Sequence, residues 1–472
     1  MSAPRQDAPS GAVGPGMQAS TEQLYITSDR QGHGARWTDE LRTLVRLSVP
    51  IAVAQVGLMA MGLVDTAILG RTGKDALAGA GIGRNLGFFA QTLMMGVAIG
   101  LEPLASQALG AGQPGEARAA LRGTLKALLV LWPFAVGFAL LLTLLLGPLG
   151  VEAATIPVAR TFLFAQAPAL LFFTMFLAGK TYLQAHGKTR PALIAAGVAN
   201  VVNYFACQLL VRGSRPLGVP ALGALGSGIA MSIGSAVLAG IVLWSAWQLD
   251  RDVAEAPAPG FARLARTGMP IALTLAAEIG VFVLAAMLAG RLGNAVTSAH
   301  QIAISLASFT FMGALGVSGA TAVRVGRAVG EGVPPRRRGM LGIALGAAVM
   351  TSGVVLFATA PRALVSLFSK EPEVVELGAA LVRIAAVFQL FDGVQCVAGG
   401  ALRGAGDLRF AFAGSALGYW LVGLPIALAL GFGLGWGATG IWWGLTAGLV
   451  AVSVALTLRF WFTSGRVLRR VG

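Results

Sequence analysis

Three acidic side chains stand alone inside long apolar stretches of this 472-residue chain. Glu278 lies near the midpoint of one stretch, Asp392 lies at a comparable depth in a second, and Asp65 lies nearer the end of a third. A charged side chain at the centre of a membrane-spanning helix costs about 2.5–3.5 kcal/mol on insertion scales. Such groups are retained where they face a wet cavity, so these three residues are the candidates for ion or proton chemistry.

Glu278 and Asp392 belong to the second half of the chain, whereas Asp65 belongs to the first. Two carboxylates held close together in a low-dielectric site repel each other, so they either share a proton or accept a cation. The sequence therefore predicts a site for Na⁺ or H⁺ at Glu278 and Asp392. Gln389 lies three residues before Asp392 on the same helical face, where it can add an oxygen ligand. A buried structural hydrogen bond is the alternative role for each acid, and especially for Asp65.

Two asparagines and two prolines are further candidates for function. Asn200 and Asn203 lie three residues apart in one apolar stretch, where they can line a cavity beside Asp65. Hydrogen bonding between helices is the alternative role for both asparagines. Pro50 and Pro270 fall inside apolar stretches, where each would bend a helix or free a backbone carbonyl. Each is therefore either a hinge or a harmless proline of a membrane helix.

The composition indicates a membrane protein. Hydrophobic residues make up 56% of the chain and charged residues only 12%, whereas a soluble domain has about 25% charged residues. The 65 glycines provide small side chains for close helix packing in lipid. The formal net charge is +15, but the basic residues lie in short loops and tails, which argues against a nucleic-acid partner. Cys207 and Cys396 fall inside apolar stretches and are interpreted as small hydrophobic residues.

Twelve apolar stretches have the length of a membrane-spanning helix, which is about 17–25 residues. Strands of a membrane barrel would be shorter and would alternate in polarity, so we expect an all-α integral membrane fold. The predicted spans cover residues 47–69, 86–109, 127–149, 162–178, 191–211, 222–247, 269–289, 301–323, 340–360, 377–401, 410–434 and 441–462.

The distribution of polar residues predicts the domains and the topology. Residues 1–40 are rich in Gly, Ser, Gln and Pro, without the apolar core of a signal peptide, and are predicted to be a flexible cytoplasmic tail. The predicted N-terminal bundle covers residues 41–249, the cytoplasmic linker 250–262 and the C-terminal bundle 263–472. An even number of spans places both termini on one side, which carries about 25 of the Lys and Arg residues against about 10 on the other. Both termini are therefore predicted to be cytoplasmic.

The two halves of the sequence repeat each other. The prolines of SVPIA and GMPIA, Pro50 and Pro270, lie 220 positions apart, and so do the Gly-Arg pairs that begin at Gly70 and Gly290. Six spans repeated in register predict two pseudo-symmetric six-helix bundles, related by an axis along the membrane normal. Facing bundles with a seam between them are typical of transporters that work by alternating access, although the duplication can also reflect ancestry alone.

Several of these segments resemble the multidrug and toxic compound extrusion (MATE) family, most closely its bacterial NorM-type branch. The resemblance extends from about residue 44 to the C-terminus. Its motifs are VDTAILG at residues 64–70, PLASQALGAG at 103–112, AHQIA at 299–303, VRVG at 323–326, and the segment 388–404 that contains Asp392. Each motif is weak alone, but together they occur in the right order around twelve spans.

The resemblance implies an antiporter of the bacterial inner membrane that expels cationic, lipophilic compounds in exchange for Na⁺ or H⁺. It implies no cofactor besides the coupling ion, small organic cations and the lipid bilayer as partners, and a monomer. The acids that match Glu278 and Asp392 resemble the cation-coupling pair, and the one that matches Asp65 resembles a proton- or drug-linked site. Some relatives carry an additional acid in the fifth span, where this chain has Asn203 and Tyr204. Proton coupling through the first bundle therefore does not follow for this chain.

Two other classes of function make different predictions. A flippase for a lipid-linked or polyanionic head group would need a ring of cavity-facing Arg or Lys, and such residues are scarce within the predicted spans. A channel or membrane enzyme would need pore-lining polar repeats or a clustered nucleophile or metal set, which the sequence does not show. Gly179-Lys180-Thr181 resembles the end of a phosphate-binding loop but lacks the upstream glycine and strand. We therefore expect a transporter and not an enzyme.

Overall fold

The computed structural model describes residues 37–71, 73–148, 150–249, 251, 253–254 and 256–471. Residues 1–36 of the predicted tail lie outside the described residues. Within the described ranges, twelve helices are long and apolar enough to cross a membrane, which confirms the predicted fold class. The first helix begins at Trp37, so residues 37–40 are helical although the sequence placed them in the tail. Asp39 and Glu40 lie in its first turn, where negative charge stabilises a helix N-terminus.

Each half of the chain contributes six of the long helices. The N-half contains α1 (Trp37–Leu69), α2 (Lys74–Gly110), α3 (Pro114–Leu142), α4 (Thr155–Ala185), α5 (Arg190–Arg212) and α6 (Gly223–Leu249). The C-half contains α7 (Phe261–Arg291), α8 (Asn294–Gly330), α9 (Arg336–Thr359), α10 (Pro372–Ala405), α11 (Leu408–Gly433) and α12 (Gly437–Thr463). Short helical segments lie between them at Thr143–Leu145, Arg215–Leu217 and Pro361–Ser366.

Local sequence signals explain several helix ends. Pro114 and Pro372 occupy the first positions of α3 and α10, where the missing N–H leaves no intrahelical hydrogen bond unmade. Gly213 and Gly406 follow α5 and α10 with φ values of 73° and 83°, which a residue with a side chain rarely adopts. Most helices extend beyond the predicted apolar spans, because polar end turns continue the helix past the apolar stretch.

The eleventh helix departs from regular α geometry. It contains π-helical segments at Leu417–Gly423 and Ala429–Gly433. Such segments are uncommon and occur frequently at functional sites. The first one packs tightly on α12, where a Cβ at Gly423 would lie 3.1 Å from the Cα of Gly448. The sequence pattern predicted a membrane span here but not its altered winding.

The two halves share one arrangement of helices. In each half, the second helix packs on the third and fourth, the sixth packs on the fourth and fifth, and the first packs on the fifth. The contacts between the halves follow the same symmetry, because α1 packs on α8 while its counterpart α7 packs on α2. This repetition confirms the prediction of two pseudo-symmetric six-helix bundles.

Close helix contacts form the seam, which is the surface where α1 and α2 meet α7 and α8. A Cβ at Gly96 would lie 2.6 Å from the backbone oxygen of Gly268, and a Cβ at Gly316 would lie 2.6 Å from that of Ser48. These two contacts are equivalent, since each residue of the first pair has its counterpart 220 positions away in the second. Small residues are needed at both places for the backbones to approach so closely.

The seam contacts concentrate at one end of the molecule. We call this end the terminal side, because α1 begins and α12 ends there. Gly110 packs on the backbone of Arg327, Gly330 packs on the backbone of Gln107, and the Val471 N–H donates to Oε1 of Gln107 at 2.7 Å. Towards the other end, the seam helices expose large apolar side chains, including Leu63, Phe88, Met287 and Phe309.

Candidate functional site

Glu278 and Asp392 line the same cavity within the C-half. The cavity has a volume of about 360 Å³ and is bounded by α7, α8 and α10. Asp392 is 6% exposed, and Glu278 is partly buried. Cavities of about 300–1,000 Å³ hold small organic molecules. The uncharged part of the wall is largely apolar and aromatic, and includes Ile279, Phe282, Ile304, Phe311 and Phe388.

An amide side chain connects the two carboxyls. Gln395 lies three residues after Asp392 on α10 and donates from Nε2 to Asp392 Oδ1 at 3.3 Å. The same side chain lies against Glu278, and the charges of Glu278 and Asp392 act on each other. Gln395 therefore orients both acids. Its spacing from Asp392 equals that of Gln389, so the sequence contained the signal, but sequence reasoning selected the other glutamine.

Gln389 makes a different contact from the one expected. Its Nε2 donates to the backbone oxygen of Ala307 at 2.9 Å, and this bond ties α10 to α8. Its Oε1 is buried without a hydrogen-bond partner. Gln389 does not line the cavity formed by the described residues, so its role as a cation ligand stays a prediction.

Tyr419 brings a phenol to the same site from the π-helical segment of α11. The side chain is 2% exposed, and its Oη has no hydrogen-bond partner. Glu278 and Asp392 are near enough for their charges to act on this hydroxyl. A buried polar group without a partner costs about 1–3 kcal/mol, so this hydroxyl is an unsatisfied group near the two acids, although Tyr419 is not among the described residues that line the cavity. The sequence analysis missed it, although a lone tyrosine in an apolar, glycine-rich span was a usable signal.

A histidine of the cavity wall is supported from behind by a tryptophan. Trp442 Nε1 donates to His300 Nδ1 at 3.2 Å, and the rings of Trp442 and Phe388 are 5.5 Å apart. An indole N–H can only donate, so the histidine nitrogen that faces it must be unprotonated. Trp442 therefore holds His300 as a neutral imidazole, and Glu278 and Asp392 are the acidic groups of the cavity wall.

Asp65 lies in a separate, closed environment within the N-half. The side chain is fully buried, and Asn203 Nδ2 donates to its Oδ1 at 2.6 Å. Its Oδ2 has no hydrogen-bond partner, while the charge of Arg84 acts on the carboxyl. Arg84 itself donates to Thr66 Oγ1 at 2.9 Å. The structure thus brings Asp65 and Asn203 together, as their positions suggested, but away from Glu278 and Asp392.

The other sequence-predicted residues lie outside the cavity wall. Asn200 Nδ2 donates to the backbone oxygens of Gly57 and Ala196, at 2.8 and 2.7 Å, so it bonds α5 to α1. Pro50 and Pro270 lie inside α1 and α7, which continue through both residues. Each proline lies two positions from a seam contact, at Ser48 or Gly268. Their hinge role stays a prediction.

The donor set of the cavity favours a hard cation or a proton. Among the described residues, no group of three or more His, Cys, Asp or Glu side chains converges on one point. In the cavity wall, Glu278, Asp392, Gln301 and Ser308 offer oxygens that suit an alkali-metal ion or a proton. Gln395 and Tyr419 lie beside the two acids, outside the lining residues. A site with two acids and aromatic walls also attracts organic cations.

Comparison with known proteins gives a consistent result across most of the chain. The MatE family model matches residues 50–209 and 270–429. The chain is 34% identical over 455 residues to the probable multidrug resistance protein NorM of Pseudomonas putida. The match covers 92% of this chain and 97% of that protein. It is 36% identical over 431 residues to the Burkholderia pseudomallei protein of the same name, covering 88% of this chain and 91% of that one.

Solved structures show the same fold. The structure of the eukaryotic MATE transporter AtDTX14 is similar with a TM-score of 0.81 at 21% identity, covering 90% of this chain and 96% of that one. A MATE structure in the straight conformation is similar with a TM-score of 0.80 at 17% identity, covering 89% and 95%. At these low identities the solved structures show a shared fold. The relationship in sequence is shown by the NorM proteins.

Proposed function

Because the chain belongs to the MatE family, we propose that it is a secondary active efflux antiporter. It expels cationic, lipophilic compounds in exchange for Na⁺ or H⁺ by alternating access. One observation carries the proposal: Glu278 and Asp392 share a cavity whose remaining wall is uncharged, largely apolar, and includes three phenylalanines. The name of the related NorM proteins, multidrug resistance protein, supports the substrate class.

The cavity wall suits flat organic cations. Two carboxylates attract positive charge, while Phe282, Phe311 and Phe388 offer aromatic faces to an apolar ring system. A coupling ion and an organic cation would use the same two carboxylates. Each therefore displaces the other, and this competition is the physical basis of exchange.

The same oxygens support either coupling ion. A proton can be shared between Glu278 and Asp392, because two neighbouring carboxylates are more stable with one negative charge than with two. A Na⁺ ion would take both carboxylates and the oxygens of Gln395 and Tyr419. The unpartnered Oη of Tyr419 supports this ligand set.

Alternating access would use the seam. The equivalent glycine contacts allow the N-half and the C-half to pack against each other on the terminal side. We assign this side to the cytoplasm on the positive-inside rule, so this conformation is closed to the cytoplasm. Both termini and the linker at residues 250–262 then lie inside the cell. Pro50 and Pro270, which lie beside the seam, are the proposed hinges.

We propose a separate role for Asp65. Its enclosure with Asn203 supports a proton-linked effect on the N-half, and not direct contact with the transported compound. The flippase hypothesis finds no support in the cavity wall. Among the described residues that line it, the charged ones are Glu278 and Asp392, with no Lys or Arg.

Efflux from proteoliposomes tests the proposal. A fluorescent lipophilic cation is loaded, and its exit is followed under an imposed Na⁺ gradient and then under an imposed pH gradient. Efflux driven by either gradient establishes antiport and identifies the coupling ion. Asp392→Asn should abolish this gradient-driven efflux while the protein stays inserted. No drive by either gradient, with insertion confirmed, would overturn the proposal.

A further inference from the structure

One of the ion pairs that join the two halves lies where α2 and α10 approach the terminal side. Arg403 of α10 donates from Nε to Oε2 of Glu102 on α2, at 3.0 Å. Glu102 is 5% exposed, and its carboxylate is the N-half partner of this pair. Arg403 also donates from NH2 to Ser318 Oγ of its own half at 3.2 Å. The pair is therefore anchored in both halves and must break when the halves part on this side.

A lysine of the N-half gives Glu102 a second cation. Lys180 on α4 is 7% exposed, donates from Nζ to Gln55 Oε1 at 2.9 Å, and its charge acts on Glu102. The predicted fourth span ended at residue 178, but α4 continues to Ala185 and buries Lys180. When the halves part, Glu102 keeps a positive neighbour in its own half. Arg403, in contrast, loses its ion pair with the Glu102 carboxylate of the N-half.

The geometry of α10 directs Arg403 towards the carboxyl pair. Asp392, Gln395, Gly399 and Arg403 follow one another at spacings of three or four residues, so they share a helix face. The Arg403 guanidinium lies back along this face, since its NH1 is 3.8 Å from the Cβ position of Gly399. The next residue along the face is Gln395, whose amide bonds Asp392. The charge of Arg403 already acts on Glu278 in this conformation.

We propose that Arg403 is an internal cation that links the seam to the cavity. It pairs with Glu102 while the halves are packed on the terminal side, and it competes for Glu278 when they part. The inference rests on the proposed antiport function. Opposite charges attract, so Arg403 turns towards Glu278, an acid of its own half on which its charge already acts, once Glu102 is withdrawn.

This exchange would couple transport to the state of the seam. On the terminal side Arg403 helps to expel the coupling ion, because its positive charge takes the place of that ion beside Glu278. An organic cation that enters from this side must then displace Arg403. The displaced guanidinium returns to Glu102 and closes the seam behind the bound compound. Three cations therefore compete for one pair of acids, and one of them belongs to the protein.

Equilibrium binding of tetraphenylphosphonium to the full-length purified chain tests this competition. In Glu102→Gln, Arg403 has lost its seam partner and competes with the probe, so we expect Kd to rise about tenfold. In Arg403→Gln, the competitor is absent, so Kd should be no higher than in the wild type. The double variant should bind like Arg403→Gln, which means that the second substitution restores the affinity lost in the first.

Two further variants make the result specific for charge. Arg403→Lys combined with Glu102→Gln keeps the competing cation, so it should retain the weakened binding. Arg362→Gln removes a cation from an exposed ion pair with Glu376 in the same half, and it should leave Kd unchanged. An unchanged Kd in Glu102→Gln, or a double variant no better than Glu102→Gln, would overturn the proposed role of Arg403.

The measurements distinguish a failure of the proposed antiport function from a failure of the proposed role of Arg403. A wild-type chain that does not bind the probe, or binds it independently of Asp392, contradicts the proposed function itself. Spin labels at the exposed terminal-side positions Arg42 and Arg409 provide a second measurement that does not need Glu102→Gln to fold. In the wild type, probe binding should increase the population with the short distance between the two labels. In Arg403→Gln, probe binding should leave this population unchanged. An equal shift in both would again contradict the role of Arg403.

Discussion

The two halves of the molecule repeat the same helix arrangement but treat their buried acids in opposite ways. In the N-half, Asp65 is enclosed and hydrogen-bonded to Asn203. In the C-half, Glu278 and Asp392 face a cavity of about 360 Å³. The comparison teaches that the same helix packing can enclose an acid in one half and place two acids on a cavity in the other.

The equivalent positions show how this difference arises. Ungapped alignment of the halves places Leu58 opposite Glu278, and it places Phe172 opposite Asp392. Both apolar side chains pack against the hydrophobic core of the N-half. The two acids of the C-half therefore stand where the N-half has apolar side chains, so the difference between the halves at these positions lies in the side chains.

The first test of this comparison uses one variant from each half. Asp392→Asn removes a carboxylate from the cavity, so we expect the affinity for tetraphenylphosphonium to fall at least tenfold. Asp65→Asn changes an enclosed group elsewhere, so probe binding should stay within about twofold while efflux slows. Probe affinity measured on both purified variants tests whether only the acid of the C-half binds the probe. Equal losses of affinity in the two variants would show that the halves share one site.

The seam provides a second contrast, because its charges differ in sign between the halves. Glu40 and Glu102 come from the N-half, whereas their partners Arg324 and Arg403 come from the C-half. Arg324 binds Glu40 through two hydrogen bonds of 2.8 and 2.7 Å, and both side chains are buried. Complementary charge therefore supports the glycine contacts in holding the halves together on this side.

Breaking the buried Arg324–Glu40 pair should lower the stability of the protein more than breaking an exposed pair. Arg324→Ala leaves Glu40 buried with a weaker partner, Arg338 at 3.8 Å, so we expect a loss of about 3–5 kcal/mol in the free energy of unfolding. Denaturant unfolding in detergent measures the loss. Arg362→Ala, in an exposed pair, is the control and should cost about 0–1 kcal/mol. Similar losses in both variants would argue against a special role for the buried pair.

The pseudo-symmetry itself can be tested at its two equivalent contacts. A Cβ at Gly96 or Gly316 would approach a backbone oxygen of the other half to 2.6 Å. Gly96→Ala and Gly316→Ala should therefore each lower the free energy of unfolding by about 1–3 kcal/mol, and by similar amounts. Gly240→Ala is the control, because a Cβ there meets no atom within 4 Å. A loss at only one seam glycine would show that the halves do not contribute equally.

The smallest expected effect on stability distinguishes a ligand from a structural residue. Tyr419→Phe removes a buried hydroxyl that has no hydrogen-bond partner, so the free energy of unfolding should stay the same or rise slightly. If the hydroxyl binds the coupling ion, ion-driven efflux should fall about tenfold at low ion concentration and recover at high concentration. Unchanged efflux at every concentration would remove Tyr419 from the site.

Apolar stretch lengths and the 220-residue repeat predicted the fold, because a membrane leaves a spanning chain little choice but a helix. The same reasoning found the three acids, since isolated charge in an apolar stretch is conspicuous. It could not assign their neighbours, which depend on how helices rotate against each other. Gln389 and Gln395 have equal spacing from Asp392, and only the position of α7 decides which of them meets Glu278.

Other residues escaped prediction because of local geometry. Tyr419 reaches the acids from a π-helical turn whose winding accompanies glycine contacts with α12. Lys180 and Arg403 lie just beyond the ends of the predicted apolar spans, so they looked like loop residues. The structure shows that α4 and α10 continue through them, and that the opposite half or a neighbouring helix covers their charges.

Competition between the coupling ion and an organic cation is the most direct test of exchange at Glu278 and Asp392. Tetraphenylphosphonium binding to the purified wild-type chain would be measured across a range of Na⁺ concentrations and, separately, of pH. One shared pair of carboxylates predicts that Na⁺ or H⁺ raises the apparent Kd without changing the number of probe sites, and that Asp392→Asn loses this dependence. Probe binding that is unaffected by both ions would contradict exchange at a shared site.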